Sequence, residues 1–408
     1  MSLLDAAAKL DEADPLAPTR EAFVIEDDLI YLDGNSLGRL PKRTISRLRD
    51  VVENEWAHEL VLGWNHWLDI GLEIGKRLAP LIGADGTEVA LCDQTSVNLY
   101  KVAMAGLNHT GRSDIITDAG NFPSDRYVLE AVSKAAGGRL IFAPEDPTPE
   151  DIEDLMTDDV GLVSLSHVSY RSGRMLDAVS IGSIAHDHGA LILWDLAHSV
   201  GAVPVDLHLW NADLAVGCTY KYLNGGPGAP GFLFVRGSLV TAIEQPITGW
   251  YAHADQFAMA AEFTPKRSIG RFVVGTPSVL AMAAADEGIQ LTAEVGIEPI
   301  RTKSLALTDF FIQAMERLQV HGFEFVTPIE HAVRGSQVTI RHPEAYRISL
   351  ALRNVGVIPD FRAPDLVRFG FTPLYTTFTE AAHAIDRLDA IMVAKAYEAF
   401  DPSRSGVT

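Results

Sequence analysis

A chain of 408 residues with 47% hydrophobic content can bury a sizeable core, and at about 150 residues per domain its length suggests two or three domains. Its 33 basic and 54 acidic residues leave a formal charge of −21, so the average surface repels phosphate backbones and anionic lipid headgroups, which argues against nucleic-acid and membrane partners. Two cysteines, Cys92 and Cys218, are too few for a disulfide framework or a thiolate metal cluster; both sit in apolar runs, as inert buried thiols do in a reducing cytoplasm.

The opening stretch MSLLDAAAKLDEADPLAP has acidic residues and no basic flank, which argues against a secretory signal, and no run reaches the roughly 18 apolar residues of a membrane span. From about Arg43 to Leu81 the pattern is helical. Trp56, Leu60, Trp64 and Trp67 recur three or four residues apart, which predicts one apolar helix stripe. Between about Glu88 and Val235, short apolar runs (EVALC, DIIT, RLIFA, VGLVSLS, ALILWD, ADLAVG, GFLFV) alternate with helix-length segments. That alternation predicts an α/β domain with a mainly parallel sheet, and runs apolar at nearly every position predict strands covered on both faces.

After Ala284 the pattern changes to a helical segment near Ile297 to Leu318, strand-like runs at Phe323 to Val326 and Gln337 to Ile340, then VRFG and a final amphipathic helix. This predicts a smaller α+β domain. The expected division is residues 1–50, an N-terminal segment packing with the small domain; 51–285, a large domain; and 286–408, the small C-terminal domain. Without repeats, low-complexity tracts or a long Gly/Ser linker, the domains are expected to pack closely.

Ligands of open α/β sheets bind beyond the carboxyl ends of the strands, so the polar residues that end each apolar run are candidates for chemistry. ALILW ends in Asp195, with His198 three residues on; an Asp there can pair with a protonated pyridine nitrogen, although a lone strand-end Asp more often starts a turn. Downstream, ADLAVGCTY leads into Lys221 and the glycine-rich YLNGGPGAPG, which sets an amine where it can join a cofactor aldehyde as a Schiff base. A single Lys beside a Gly/Pro turn is more often a surface residue; Asp195, His198 and Lys221 in this order make that improbable. After EVALC, Asp93-Gln94-Thr95-Ser96 precedes a helix, so free N–H groups and two hydroxyls converge as in an anion cup. Phe122-Pro123-Ser124-Asp125 follows another strand, with an aromatic ring placed to stack on a pyridine and an Asp opening the next helix. No convincing His/Asp metal-ligand cluster stands out, so no metal is expected.

Assembled, these motifs resemble kynureninase, a fold type I pyridoxal-5'-phosphate (PLP) family that hydrolyses the side chain of L-kynurenine to anthranilate and L-alanine in tryptophan degradation. The resemblance runs nearly end to end. Its most discriminating pieces are Tyr31-Leu32-Asp33-Gly34-Asn35-Ser36-Leu37-Gly38 and Arg368-Phe369-Gly370-Phe371-Thr372-Pro373-Leu374-Tyr375; the segments around Asp195 and Lys221 also occur in relatives such as cysteine desulfurases. The resemblance implies Thr95, Ser96, Ser124 and the Tyr220 hydroxyl around the phosphate, Phe122 on the ring, Asp195 at the ring nitrogen, and Ser166, Asp125 and His198 around the cofactor. It implies Trp250 and Thr276 near the phosphate from a neighbouring subunit, hence a homodimer with shared sites. It also implies Arg368 clamping the substrate α-carboxylate, with Asn35, Ser36 and Trp64 among the substrate contacts. Tyr220 is the candidate proton donor and acceptor at the substrate carbonyl, given a neighbouring charge to tune it.

Two departures bear on specificity. Animal members resemble one another in a His and an Asn lining the aryl pocket, where this chain has Trp64 and Thr276, the bacterial pattern; kynurenine is therefore expected over its 3-hydroxy derivative. Tyr251-Ala252 stands where a pair such as Trp-Gly is expected. The competing readings are a desulfurase-like lyase, which needs a nucleophilic Cys on an accessible loop, and a PLP-binding regulatory protein without catalysis.

Overall fold

The computed structural model describes residues 2–26 and 28–403. The chain opens with a helix, Leu3–Glu12, started by a capping box in which Ser2 and Asp5 bond each other's backbone. Its far end reaches across the molecule: Asp11 accepts the N–H groups of Phe378 and Thr379, at 2.7 and 2.9 Å, and so caps the C-terminal helix Phe378–Ala394. Strand β1 (Ile30–Tyr31) follows. From there Gly38 docks onto the Lys221 loop; its N–H donates to the Tyr220 carbonyl at 2.8 Å, and a Cβ on it would stand 2.4 Å from the Lys221 carbonyl oxygen. Only glycine fits so close an approach.

The single helix expected between Arg43 and Leu81 is broken. Helix Lys42–Asp50 widens into π winding over Val51–Glu59, and Leu60 then turns at φ 54° before short helices at Trp64–Trp67 and Ile70–Leu78. The wider winding defeats the 3.6-residue period on which the apolar stripe was read. It is Glu55 that faces inward, accepting from Trp67 Nε1 at 2.6 Å and from Arg47, while Trp56 and Leu60 are 58% and 60% exposed. Of the four stripe residues Trp67 alone is buried.

The seven apolar runs form the strands of one sheet: β2 (Val89–Leu91), β3 (Asp114–Asp118), β4 (Leu140–Ala143), β5 (Val160–Ser166), β6 (Leu191–Asp195), β7 (Leu214–Cys218) and β8 (Gly231–Val235). Their order is β2-β8-β7-β6-β5-β3-β4, with β8 alone antiparallel to its neighbours. Helices Thr95–Thr110 and Pro123–Ala135 cover one face through Leu99, Val102, Leu129 and Val132. Ile74, Leu78, Ile181, Met282 and Ile289 cover the other, against a fully buried Trp194. Both faces are dry, which is why these strands carry no polar alternation.

Strands β9 (Glu324–Phe325), β10 (Gln337–Arg341), β11 (Val357–Ile358), β12 (Asp360–Arg362) and β13 (Leu366–Gly370) complete the chain. Four of them form an antiparallel sheet in the order β12-β13-β10-β9, and β11 pairs with β1 in parallel. Ala7, Ile30 and Leu32 share one apolar core with Leu307, Phe311, Val338, Phe369 and Ile385. Helix Val279–Val295 runs without interruption across position 285. No helix of the described residues is long and apolar enough to cross a membrane.

Candidate active site

A cavity of about 210 Å³ opens at the carboxyl ends of the central strands. It brings together ten of the residues singled out in the sequence: Thr95, Ser96, Phe122, Ser124, Asp125, Ser166, Asp195, His198, Tyr220 and Lys221. Each comes from a strand end, a helix start or the turn just beyond a strand. Ser166 and Asp195 close β5 and β6, and Phe122 precedes helix Pro123–Ala135, whose third residue is Asp125. Lys221 follows β7 in a loop that turns back through Asn224, Gly226 and Gly228, at φ 55°, 88° and 73°, to begin β8. Left-handed backbone at three positions folds this loop over the sheet edge.

Lys221 Nζ lies 3.1 Å from His198 Nε2. Burial, reinforced by the Lys221 charge, pushes the imidazole well below its usual range, so His198 is neutral and accepts from the ammonium. A hydrogen bond with the Gln337 side chain offsets part of that fall. Asp195 and Asp125 share the floor. Burial raises both; the Lys221 charge and the Ala197 N–H, at 2.9 Å, pull Asp195 back down, whereas Asp195 itself pushes Asp125 up further. Asp125 therefore holds the shared proton and Asp195 is the charged partner. Asp195 also accepts from Asp125 and has a long contact, 3.5 Å, with Ser166 Oγ, whose better partner is Asn121 Oδ1 at 3.0 Å. A charged carboxylate on the floor of the cavity suits a nitrogen cation from a ligand ring.

At the other end, helix Thr95–Thr110 starts at Gln94 without a side-chain cap. Its first N–H groups are unclaimed by a capping oxygen, and the hydroxyls of Thr95 and Ser96 stand beside them. Thr95 Oγ1 reaches the Gly217 carbonyl at 3.3 Å. The adjacent Cys218 thiol, then burial, raises the Tyr220 phenol above its usual range, so it carries its proton. An anion in this cup would meet free N–H groups, hydroxyls and the positive end of a helix.

Six singled-out residues lie outside the cavity. Arg368, on β13, is 1% exposed, and its guanidinium is spent on Asp360, Ser36 Oγ at 3.2 Å and the Tyr170 carbonyl. Asn35 is buried beside it, donating to Gln337 Oε1 at 3.2 Å. Thr276 is exposed and lines a neighbouring pocket that shares Gln94 and Gly228 with the main one. Trp250 is 44% exposed and donates its indole N–H to the Gln256 carbonyl; Trp64 is half-buried, edge-on to Trp67 at 5.5 Å. Tyr170, Asn121 and Asp360 belong to this assembly and escaped the sequence reading. Asn121 stands directly before the Phe122 segment, which was its only signal; Asp360 and Tyr170 had none.

Asp85, Glu88 and His208 bring ligand atoms within 4.8 Å of one another. Glu88 is already bonded to the Gly237 N–H, the Asp85 N–H and His208 Nε2, at 2.6, 3.0 and 2.7 Å, so this is a knot that ties down the start of β2.

Six parallel strands and one reversed strand, with a lysine in the loop between β7 and β8, make this a fold type I PLP-dependent architecture. It is similar to the solved cysteine desulfurase from Thermococcus onnurineus NA1 (TM-score 0.81, 20% identity, covering 93% of this chain and 98% of that one). It is similar also to the C-DES enzyme with glycine linked covalently to its PLP cofactor (TM-score 0.79, 19% identity, covering 90% and 98%). Within that class the chain belongs to the kynureninase family. It is 43% identical to the kynureninase of Pseudomonas fluorescens over 396 residues, 95% of each chain. It is 45% identical to that of Deinococcus radiodurans over 392 residues, 94% of this chain and 95% of the relative. The kynureninase C-terminal domain model matches residues 300–388.

Behind the cavity wall, burial and then Asp146 raise Asp118 from 3.8 to about 7. Folded Asp118 thus keeps a proton up to about pH 7, whereas the unfolded chain releases it near 4. Between those values the folded state binds more protons, so this group's contribution to stability falls as pH rises and is fully lost above 7. Asp118→Asn is expected to leave the melting temperature unchanged at pH 4 and raise it at pH 8, by a free energy bounded by about 4 kcal/mol; thermal melts across that range check it.

Proposed function

We propose that this protein hydrolyses L-kynurenine to anthranilate and L-alanine, with PLP held on Lys221. The observation that carries the reading is 42–45% identity to kynureninases over nearly the whole chain; the cavity chemistry supports it independently. Asp195 would hold the pyridine nitrogen, Phe122 the ring face, and Thr95, Ser96, Ser124 and Tyr220 the phosphate, with Ser166, Asp125 and His198 around them. Bound there, PLP supplies an electron sink for the α-carbon of an amino acid. Asp125, holding the shared proton, keeps Asp195 charged beneath that sink. Lys221, hydrogen-bonded to a neutral His198, is the base for the α-proton. One water is consumed: its oxygen joins the γ-carbonyl carbon, the Cβ–Cγ bond breaks, and Cβ gains a proton. Tyr220, which retains its proton, is the acid that meets charge developing on the carbonyl oxygen. Arg368 would take the α-carboxylate, with Asn35 and Ser36 beside it.

We infer a homodimer with shared sites. Trp56, Leu60, Val61 and Leu62 stand 58–74% exposed along one stretch, and Trp250, Phe257 and Met259 are exposed along another, large apolar side chains of the kind a second subunit covers. Covered by a second subunit, this surface would carry Trp250 and Thr276 towards the neighbouring phosphate and Trp64 towards the aryl pocket. Trp64 and Thr276 favour kynurenine over 3-hydroxykynurenine. The proposed division is residues 1–50, 51–285 and 286–408; a seven-stranded sheet within the second and a four-stranded sheet within the third support it, and helix Val279–Val295 runs through the last limit. Two free buried cysteines suit the cytoplasm. A desulfurase would need an accessible thiolate, and Cys92 and Cys218 are 3% and 2% exposed with thiols pushed up by burial.

The deciding experiment offers L-kynurenine and 3-hydroxy-L-kynurenine in parallel to the PLP-loaded protein, reading anthranilate fluorescence and alanine. Faster cleavage of kynurenine is expected, and Lys221→Ala should remove both the visible cofactor band and turnover; a wild type with the band but no cleavage of either substrate defeats the reading. Tyr220→Phe should slow product formation by about 10²–10⁴-fold while exchange of the α-hydrogen with solvent deuterium slows far less; equal slowing counts against its role. Sedimentation should give twice the 44.3 kDa chain mass.

A further inference from the structure

Tyr170 touches both Arg368 and the cavity. Tyr170 lines the cavity, its ring edge-on to Phe122 at 5.1 Å, and the Arg368 guanidinium carbon lies 6.0 Å from the centre of the same ring. The Tyr170 carbonyl accepts from Arg368 Nη1 and, at 3.1 Å, from Gln337 Nε2. Its turn is closed by Gly173 N–H to the Ser169 carbonyl at 2.9 Å, so one short loop after β5 is fastened to both β10 and β13. Around the guanidinium, Asp360 and Ser36 occupy Nη2, the Tyr170 carbonyl occupies Nη1, and Nε is buried with no partner among the described residues.

This leaves a fork with a free donor at Nε and an Nη1 whose one partner is a neutral carbonyl. A carboxylate forms the stronger, charge-assisted bond, so an amino acid arriving from the cavity can displace the carbonyl without breaking the pair with Asp360. We propose that Tyr170 is a substrate-positioning residue: its ring is the wall between the lysine end of the cavity and Arg368, and its carbonyl keeps the guanidinium aligned until the α-carboxylate replaces it. The proposal rests on the reading of Arg368 as the carboxylate partner.

L-Alanine carries the α-carboxylate without the aryl ring, and anthranilate carries the aryl ring without the amino-acid end; the two therefore separate the ends of the site. In PLP-loaded protein, Tyr170→Leu is expected to raise the L-alanine dissociation constant, read from the cofactor absorbance, about tenfold, and the kynurenine KM similarly. Both kcat and the anthranilate inhibition constant should change less than about threefold, and Tyr170→Phe should match wild type. Unchanged alanine affinity, or an equal loss for anthranilate, overturns the proposal. If Tyr170→Leu fails to retain the cofactor band, Tyr170→Met is measured by the same criteria. Arg368→Lys is the control for the underlying reading: if it leaves alanine affinity intact, the carboxylate role of Arg368 fails and the proposal with it. If Arg368→Lys weakens alanine and the Tyr170 variants do not, the fault lies with Tyr170 alone.

Discussion

The site depends on the reversal between β7 and β8. A parallel successor to β7 would need a crossover connection, which would carry the chain off the carboxyl edge of the sheet. Because β8 runs antiparallel beside β7, residues 219–230 double back over that edge, and Lys221 is held above Asp195. The glycines of this loop are the means of the reversal. The approach of Gly38 from the N-terminal segment fixes its outer side, so the lysine is confined from below by the sheet and from above by a distant part of the chain.

Charge buried in this framework is arranged in pairs, and the pairing organises geometry more than it adds stability. Lys101 is wholly buried, with its ammonium 2.7 Å from both Asp93 and the Phe272 carbonyl, where it ties the loop before the anion cup to the segment that leads to Thr276. Arg368 with Asp360 is a second such pair. Desolvating two charges offsets much of their attraction, so pairs of this kind contribute little net free energy, yet losing one partner strands the other. What they provide is direction: each guanidinium or ammonium is held in the orientation that meets its paired carboxylate.

Much of this was legible in the residues. Strands buried on both faces announce themselves as unbroken apolar runs, and functional groups sit where those runs stop, which is why Asp195 and Lys221 could be read directly, whereas Ser166 came only from the family resemblance. Failures of the reading have physical causes. The stripe of Trp56, Leu60, Trp64 and Trp67 followed an α-helical period that the π winding at Val51–Glu59 does not obey, so a carboxylate faced inward and a tryptophan outward. Asp360 and Tyr170 meet Arg368 only through tertiary contacts between different sheets and loops, and no local spacing encodes such a meeting. Trp250, Thr276 and Trp64 lie outside the cavity of one chain, where a linear pattern gives a residue but not its destination.

The capping of the last helix by Asp11 has a consequence for how the molecule is made. Residues 3–32 share their core with residues 307–392, and Gly38 rests on the Tyr220 carbonyl. The seven-stranded sheet draws its strands from residues 89–235 alone, whereas segment 3–32 depends on partners far along the chain. Closing so long a span costs chain entropy before its contacts repay it, so the docking that seats Gly38 on the Tyr220–Lys221 loop is a late event in folding.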